Sequence, residues 1–145
     1  MHSTVLRAAG LLALTTTAIA GSASVVNRCK EDAFLTVTLS TQQSTTHQIA
    51  GSNGSYSSEP ITGQGNSWGI TKTNDYFSAS TPKLIWGFSD AAPTLYYTVS
   101  NVDGDPMAGE GFNISSTDAG CGSVTSYDGS THTCSDSNNF TLTLC

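Results

Sequence analysis

Residues 84–104, LIWGFSDAAPTLYYTVSNVDG, decide the fold class of this chain. Leu84, Trp86 and Phe88 fall at every second position, and Leu95, Tyr97 and Val99 repeat the pattern after the turn signal Ala92-Pro93. A period of two belongs to a half-buried β-strand, because successive side chains in a strand point to opposite faces. Working outward, the same alternation runs through Phe34–Ser40, where Leu35, Val37 and Leu39 share a face with Thr36, Thr38 and Ser40 opposite. It returns at the end of the chain, where Phe140, Leu142 and Leu144 alternate with Thr141 and Thr143. Val25–Asn27, Trp68–Thr71 and Phe112–Ile114 are shorter candidates. Asn53-Gly54, Gly63-Gln64-Gly65, Asp103-Gly104 and Asp128-Gly129 punctuate these runs, and short strands separated by such turns predict an all-β sandwich. No stretch after the first twenty residues shows apolar side chains at helical spacing. Ser40–Ser58 is polar and repeat-free, and reads either as a long surface loop or as a weak edge strand.

The beginning of the chain is different in kind. A short start carrying Arg7, an apolar run from Ala8 to Leu14 and then small residues make a cleaved signal peptide over residues 1–20. Ala18-Ile19-Ala20 fits a cut at Gly21, and Gly21-Ser22-Ala23 fits a cut at Ser24; the first is preferred. The apolar run, broken by Thr15, Thr16 and Thr17, is shorter than the ~20 residues that a spanning helix needs. The expectation is a secreted protein, extracellular or associated with a cell wall, with no transmembrane segment in its mature form. Residues 21–145 make one domain, long enough for a single core.

The net charge is −6 over 145 residues, and it becomes one unit more acidic once Arg7 leaves with the leader. Such a surface repels phosphate backbones, which argues against a nucleic-acid partner. The four cysteines, Cys29, Cys121, Cys134 and Cys145, predict two disulfides, with three possible pairings. His132-Thr133-Cys134 is the only close pair of metal-ligating types, so no metal or other cofactor is expected. Three glycosylation sequons begin at Asn53, Asn113 and Asn139, and Asn53, beside a glycine in a polar loop, is the one expected to be used.

The acidic cluster Asp103, Asp105 and Glu110 lies in VDGDPMAGEG. It lacks the regular carboxylate spacing of a calcium loop and reads first as a turn, with Asp-Gly at the bend and Pro106 stiffening it. Trp68, Tyr96, Tyr56 and Tyr127 are candidates to stack on sugar rings, since a flat apolar ring covers the C–H face of a pyranose. By strand parity Trp86 and Tyr97 point into the core and Tyr96 points out. Four paired cysteines leave no free thiol, so a cysteine nucleophile has no candidate.

Three islands of the sequence resemble the thaumatin-like proteins. Val25-Val26-Asn27-Arg28-Cys29 resembles the family's opening strand, whose cysteine bonds to one at the C-terminus, and this chain ends in Leu142-Thr143-Leu144-Cys145. Trp68-Gly69-Ile70-Thr71 followed by Tyr76-Phe77 is similar to the family's Gly-Gly-x-x-Trp-x-x-Thr stretch. Tyr97–Met107, YTVSNVDGDPM, is similar to the family's Tyr-Asp-x-Ser-x-x-Asp-Gly strand and turn. Length, leader, terminal cysteine and the small cysteine count resemble the short fungal branch, the yeast-phase-specific antigen family first described from Blastomyces. The resemblance implies a thaumatin-like flattened antiparallel β-sandwich stapled by two disulfides, Cys29 with Cys145 and Cys121 with Cys134. In the loop-entropy picture the short bridge contributes about 3 kcal/mol and the long one ~4–5 kcal/mol.

The resemblance also implies an acidic cleft associated with β-1,3-glucan binding and antifungal activity. Asp103, Asp105, Tyr96 and Trp68 are the residues expected to contact a ligand. Where the family's cleft carries acids, this chain has Thr98 and, on the preceding strand, Gly87. One surviving carboxylate, Asp103, cannot supply both the acid and the base or nucleophile of glycoside hydrolysis, so the chain is not expected to be an enzyme. The leading expectation is a secreted non-catalytic module binding cell-wall β-1,3-glucan. The second is a secreted antigen or effector acting through contacts with a foreign protein or a membrane. A glucan hydrolase ranks third, and a monomer is expected throughout.

Overall fold

The computed structural model describes residues 20–145, so the expected leader lies outside the described residues except for Ala20. Two β-sheets pack face to face. The five-stranded sheet has the order β4-β1-β11-β8-β9, with β1 Ser22–Asn27, β4 Gly54–Pro60, β8 Phe112–Ser116, β9 Ser123–Val124 and β11 Phe140–Leu144. The six-stranded sheet has the order β10-β7-β6-β5-β2-β3, with β2 Ala33–Thr38, β3 Ser44–Ile49, β5 Asn66–Thr71, β6 Lys83–Ala91, β7 Thr94–Val102 and β10 Thr131–Ser135. Among the described residues no helix is long and apolar enough to cross a membrane.

The first and last strands lie side by side. β1 and β11 run parallel, with Val25 opposite Leu142 and Asn27 opposite Leu144. Their inward residues, Ala23, Val25, Phe140, Leu142 and Leu144, are all buried. The chain then closes on itself just beyond this pair, where Cys29 is bonded to Cys145. The second disulfide, Cys121–Cys134, joins the segment before β9 to the edge strand β10. Across the interface the six-stranded sheet contributes Leu35, Ile70, Leu84, Leu95 and an aromatic block in which Trp68 meets Trp86 at 5.5 Å and Phe88 at 5.9 Å between ring centroids.

The structure differs from the sequence expectations in four places. Ser40–Ser58 is neither one loop nor one strand: it holds β3 and β4, which occupy the edges of different sheets. Edge strands half-exposed on both faces have no need of apolar alternation, which is why periodicity misses them. Leu39, expected inward, is 46% exposed, because β2 ends at Thr38 and the Leu39 N–H turns to bond the Gln43 carbonyl. Thr36, expected outward, is buried with its hydroxyl 2.9 Å from that of Thr46. Trp68, a candidate for sugar stacking, is 2% exposed and belongs to the core, with Tyr56 edge-on to its ring.

Candidate functional site

The outward face of the six-stranded sheet carries the site. One end of it is roofed by the β5–β6 connection, residues 72–82. Tyr76 in this loop lies directly on Gly69, so that a Cβ at Gly69 would overlap the tyrosine ring; only glycine lets the ring approach. Beneath the loop the Lys83 ammonium is almost wholly buried and donates to the Ser78 carbonyl at 2.9 Å, the Thr81 carbonyl at 2.8 Å and Asp103 Oδ2 at 2.7 Å. Three donors meet three acceptors, so the buried cation is fully satisfied. Asp103 thus spends its carboxylate on fixing the loop, and the left-handed backbone at Asp103 and Gly104 (φ 57° and 115°) bends the chain to bring it there.

The rest of the acidic cluster is committed in the same way. Asp105 Oδ1 accepts from the Met107 N–H at 2.8 Å and from the Tyr127 hydroxyl at 2.6 Å. Burial, then the bond to Asp105, pushes the Tyr127 hydroxyl far above the ordinary tyrosine range. Glu110 pairs with Lys72. Neither Asp103 nor Asp105 lines the open trough described next, so the structure does not bring them together with Tyr96. Lys83, which organises this end of the sheet, was missed by sequence reading; a lone cation at the head of an apolar strand was the available signal.

At the other end the outward face is open. Gly87 stands opposite Thr98, and Thr98 opposite Thr131; one step along, Ser89 stands opposite Tyr96, and Tyr96 opposite Thr133. Gly65, Asn66, Gly87, Ser89, Tyr96, Thr98 and Thr131 bound a shallow trough of about 370 Å³. Gly87 forms its floor: a Cβ there would sit 3.3 Å from Thr98 Oγ1. The lining is hydroxyls, backbone and rings, with no ionisable acid or base other than the tyrosine hydroxyls. Tyr96 is 44% exposed, whereas its neighbour Tyr97 is buried, stacks on His132 at 5.2 Å, and has its hydroxyl pKa raised by burial.

Of the sequon asparagines, Asn53 is exposed in the β3–β4 turn with φ 85°. Asn113 lies within β8, between β11 and β9, with its Oδ1 buried and unpartnered. Asn139 is exposed, but its Oδ1 accepts from both the N–H and the hydroxyl of Ser22 at 3.0 Å.

A two-sheet sandwich whose first and last strands are parallel neighbours tied by a terminal disulfide is the architecture of the thaumatin-like class. The protein elicitor MoHrip2 from Magnaporthe oryzae superposes with a TM-score of 0.69 at 20% sequence identity, over 87% of this chain and 99% of that one. The thaumatin-like xylanase inhibitor TLXI superposes with a TM-score of 0.64 at 13% identity, over 85% and 98%. No curated protein matches the sequence. Within the thaumatin-like class the chain belongs to the Bys1 family, Blastomyces yeast-phase-specific protein, which it matches over residues 10–145.

Proposed function

We propose that this is a secreted, non-catalytic thaumatin-like protein that binds cell-wall β-1,3-glucan through the trough beside Tyr96. The observation that carries the reading is the trough itself: uncharged, hydroxyl-lined and flanked by an outward aromatic ring. Its volume lies at the low end of small-molecule sites, ~300–1,000 Å³, and a half-exposed ring beside polar groups suits a sugar's apolar face and its hydroxyls. Non-catalytic binding follows from the carboxylates, since Asp103 and Asp105 are each held by an internal partner. Hydrolysis needs two carboxyl groups facing across the bond to be cut.

Secretion is supported by the leader and by the way the sandwich begins. The Gly21 N–H donates to the Asp136 carbonyl at 2.6 Å and its carbonyl accepts from the Ile61 N–H at 2.7 Å. A cut before Gly21 keeps both bonds, whereas a cut at Ser24 removes them with buried Ala23. In a secretory pathway that glycosylates asparagine, Asn53 is the sequon open to a glycan.

The test is to incubate purified mature protein with insoluble β-1,3-glucan, chitin and cellulose and to assay the pellets. Retention on β-1,3-glucan is expected, reduced several-fold by Tyr96→Ala with unchanged thermal stability. Laminarin should release no reducing sugar. Absence of pelleting, or undiminished retention by Tyr96→Ala, would shift the function to the secreted interaction protein acting on a foreign protein or membrane.

A further inference from the structure

The loop that roofs the far end of the outward face presents a second aromatic ring. Phe77 is 76% exposed, more than Leu39, Tyr96 or Val102, the other exposed large apolar side chains among the described residues. It is nevertheless held in place. Its ring meets Tyr76 edge-on at 5.1 Å, Tyr76 is seated on Gly69, and Lys83 ties the loop through Ser78 and Thr81 to Asp103. Asp75 accepts from the Thr73 hydroxyl and its carbonyl from the Ser78 N–H at 2.9 Å, which closes the loop around the two rings. Hydrogen bonds from Thr73 and Thr81 hold the Asp75 carboxyl below its ordinary range. A ring fixed in water costs little further ordering when it binds something.

Tyr76 packs on the outward side of Gly69, as the inward positions on β5 are Trp68 and Ile70. Phe77 and Tyr96 therefore belong to one face. Gly69 stands opposite Ile85, and Ile85 opposite Ser100, four residues along β7 from Tyr96 and two strands away. At ~3.4 Å per residue and about 4.8 Å between strands, the Tyr96 and Gly69 positions are roughly 17 Å apart. Between them the face offers Ser67, Gly87, Thr98, Ile85 and Ser100, none of them charged. Two rings separated by an uncharged, largely hydroxyl-bearing strip suit a neutral ligand that is itself long and alternates apolar faces with hydroxyls.

Building on the trough reading, we infer that the binding face runs from Tyr96 to Phe77 and takes an extended oligosaccharide, with Phe77 as a second stacking subsite. A single sugar or a disaccharide reaches one ring only. A chain several sugars long touches both.

Calorimetric titration with β-1,3-linked glucose oligomers of increasing length tests this on the mature protein, with Phe77→Ala and Phe77→Trp as variants. The parent's affinity should climb with length until the chain spans both rings. Phe77→Ala should leave the disaccharide unchanged and weaken the longest oligomers about three- to tenfold, the scale of one aromatic contact, with Phe77→Trp restoring them. Because the ring is in solvent, melting temperature should not move. If Phe77→Ala equals the parent at every length, or loses the same factor at every length, the second subsite is refuted while the trough stands. If the parent binds no oligomer of any length, both readings fall, and the fixed ring is left as an anchor for a protein pocket.

Discussion

Tyr96 and Tyr97 are consecutive on β7 and share a chemistry, yet one is 44% exposed and the other 2%. The contrast extends along β6 and β7. The inward face of these two strands is Leu84, Trp86, Phe88, Leu95, Tyr97 and Val99, all buried; the open part of their outward face is Gly87, Ser89, Tyr96, Thr98 and Ser100. The inward face holds the two sheets together, and the outward face is free to meet a ligand. A residue's type therefore says less about its role than its parity on the strand does. Trp68 has the larger stacking surface and is spent on the core, whereas Tyr96 keeps its ring in water.

This contrast can be broken most severely from the inside. Trp68→Ala should destabilise the fold by about 3–5 kcal/mol, the usual cost of removing a large buried ring, in urea denaturation. Since domains are stable by only ~5–15 kcal/mol, the variant should be partly unfolded on mild warming. A loss of glucan retention with unchanged stability would mean that Trp68 is a ligand contact after all.

The next effect lies in the other sheet. Cys145→Ala opens a bridge spanning a sequence separation of 116 residues and should cost about 2–5 kcal/mol in the same assay. Below its lowered melting temperature this variant should still pellet with β-1,3-glucan, because the bridge fastens β1 to β11 and leaves the outward face of the six-stranded sheet untouched. Loss of binding in the folded variant would show that the two sheets are not independent in this respect.

The smallest effect tests a charge on the inward face. Asp90 faces Leu95 at the end of β6, with Oδ1 buried and unpartnered. Burial, then the neighbouring Asp136, raises its pKa above the ordinary 3.8. The folded state thus holds this proton more tightly than the unfolded chain does, so stability declines as pH rises from about 3.8 through the folded pKa and is level beyond it. Asp90→Asn removes that decline. It should melt slightly higher than the parent at pH 7, with the advantage fading below about pH 4. An equal advantage at both pH values would assign the effect to something other than the charge.

Alternation alone was enough to read β2, β6, β7 and β11, because a strand with one face in the core must place apolar residues at every second position. The shorter runs gave the positions of β1, β5 and β8, though not their full lengths. β3, β4, β9 and β10 carried no such signal: they sit at the sheet edges or are very short, and polar residues serve there on both faces. β5 hid its outward side, since Tyr76 covers Gly69 from above and buries both faces of a strand whose sequence shows one.

By itself, then, the sequence determined the fold class, the placing of Tyr96 outside and Tyr97 inside, and, through resemblance, the thaumatin-like topology. Only the tertiary structure decided what the acids do. Asp103, Asp105 and Glu110 look alike in the sequence, but their partners Lys83, Tyr127 and Lys72 lie between 20 and 38 residues away, and no local pattern foretells which acid meets which partner. The same is true of the trough. It is a space between side chains on strands β6, β7 and β10, and a space is set by the register of neighbouring strands, which one strand's sequence does not contain.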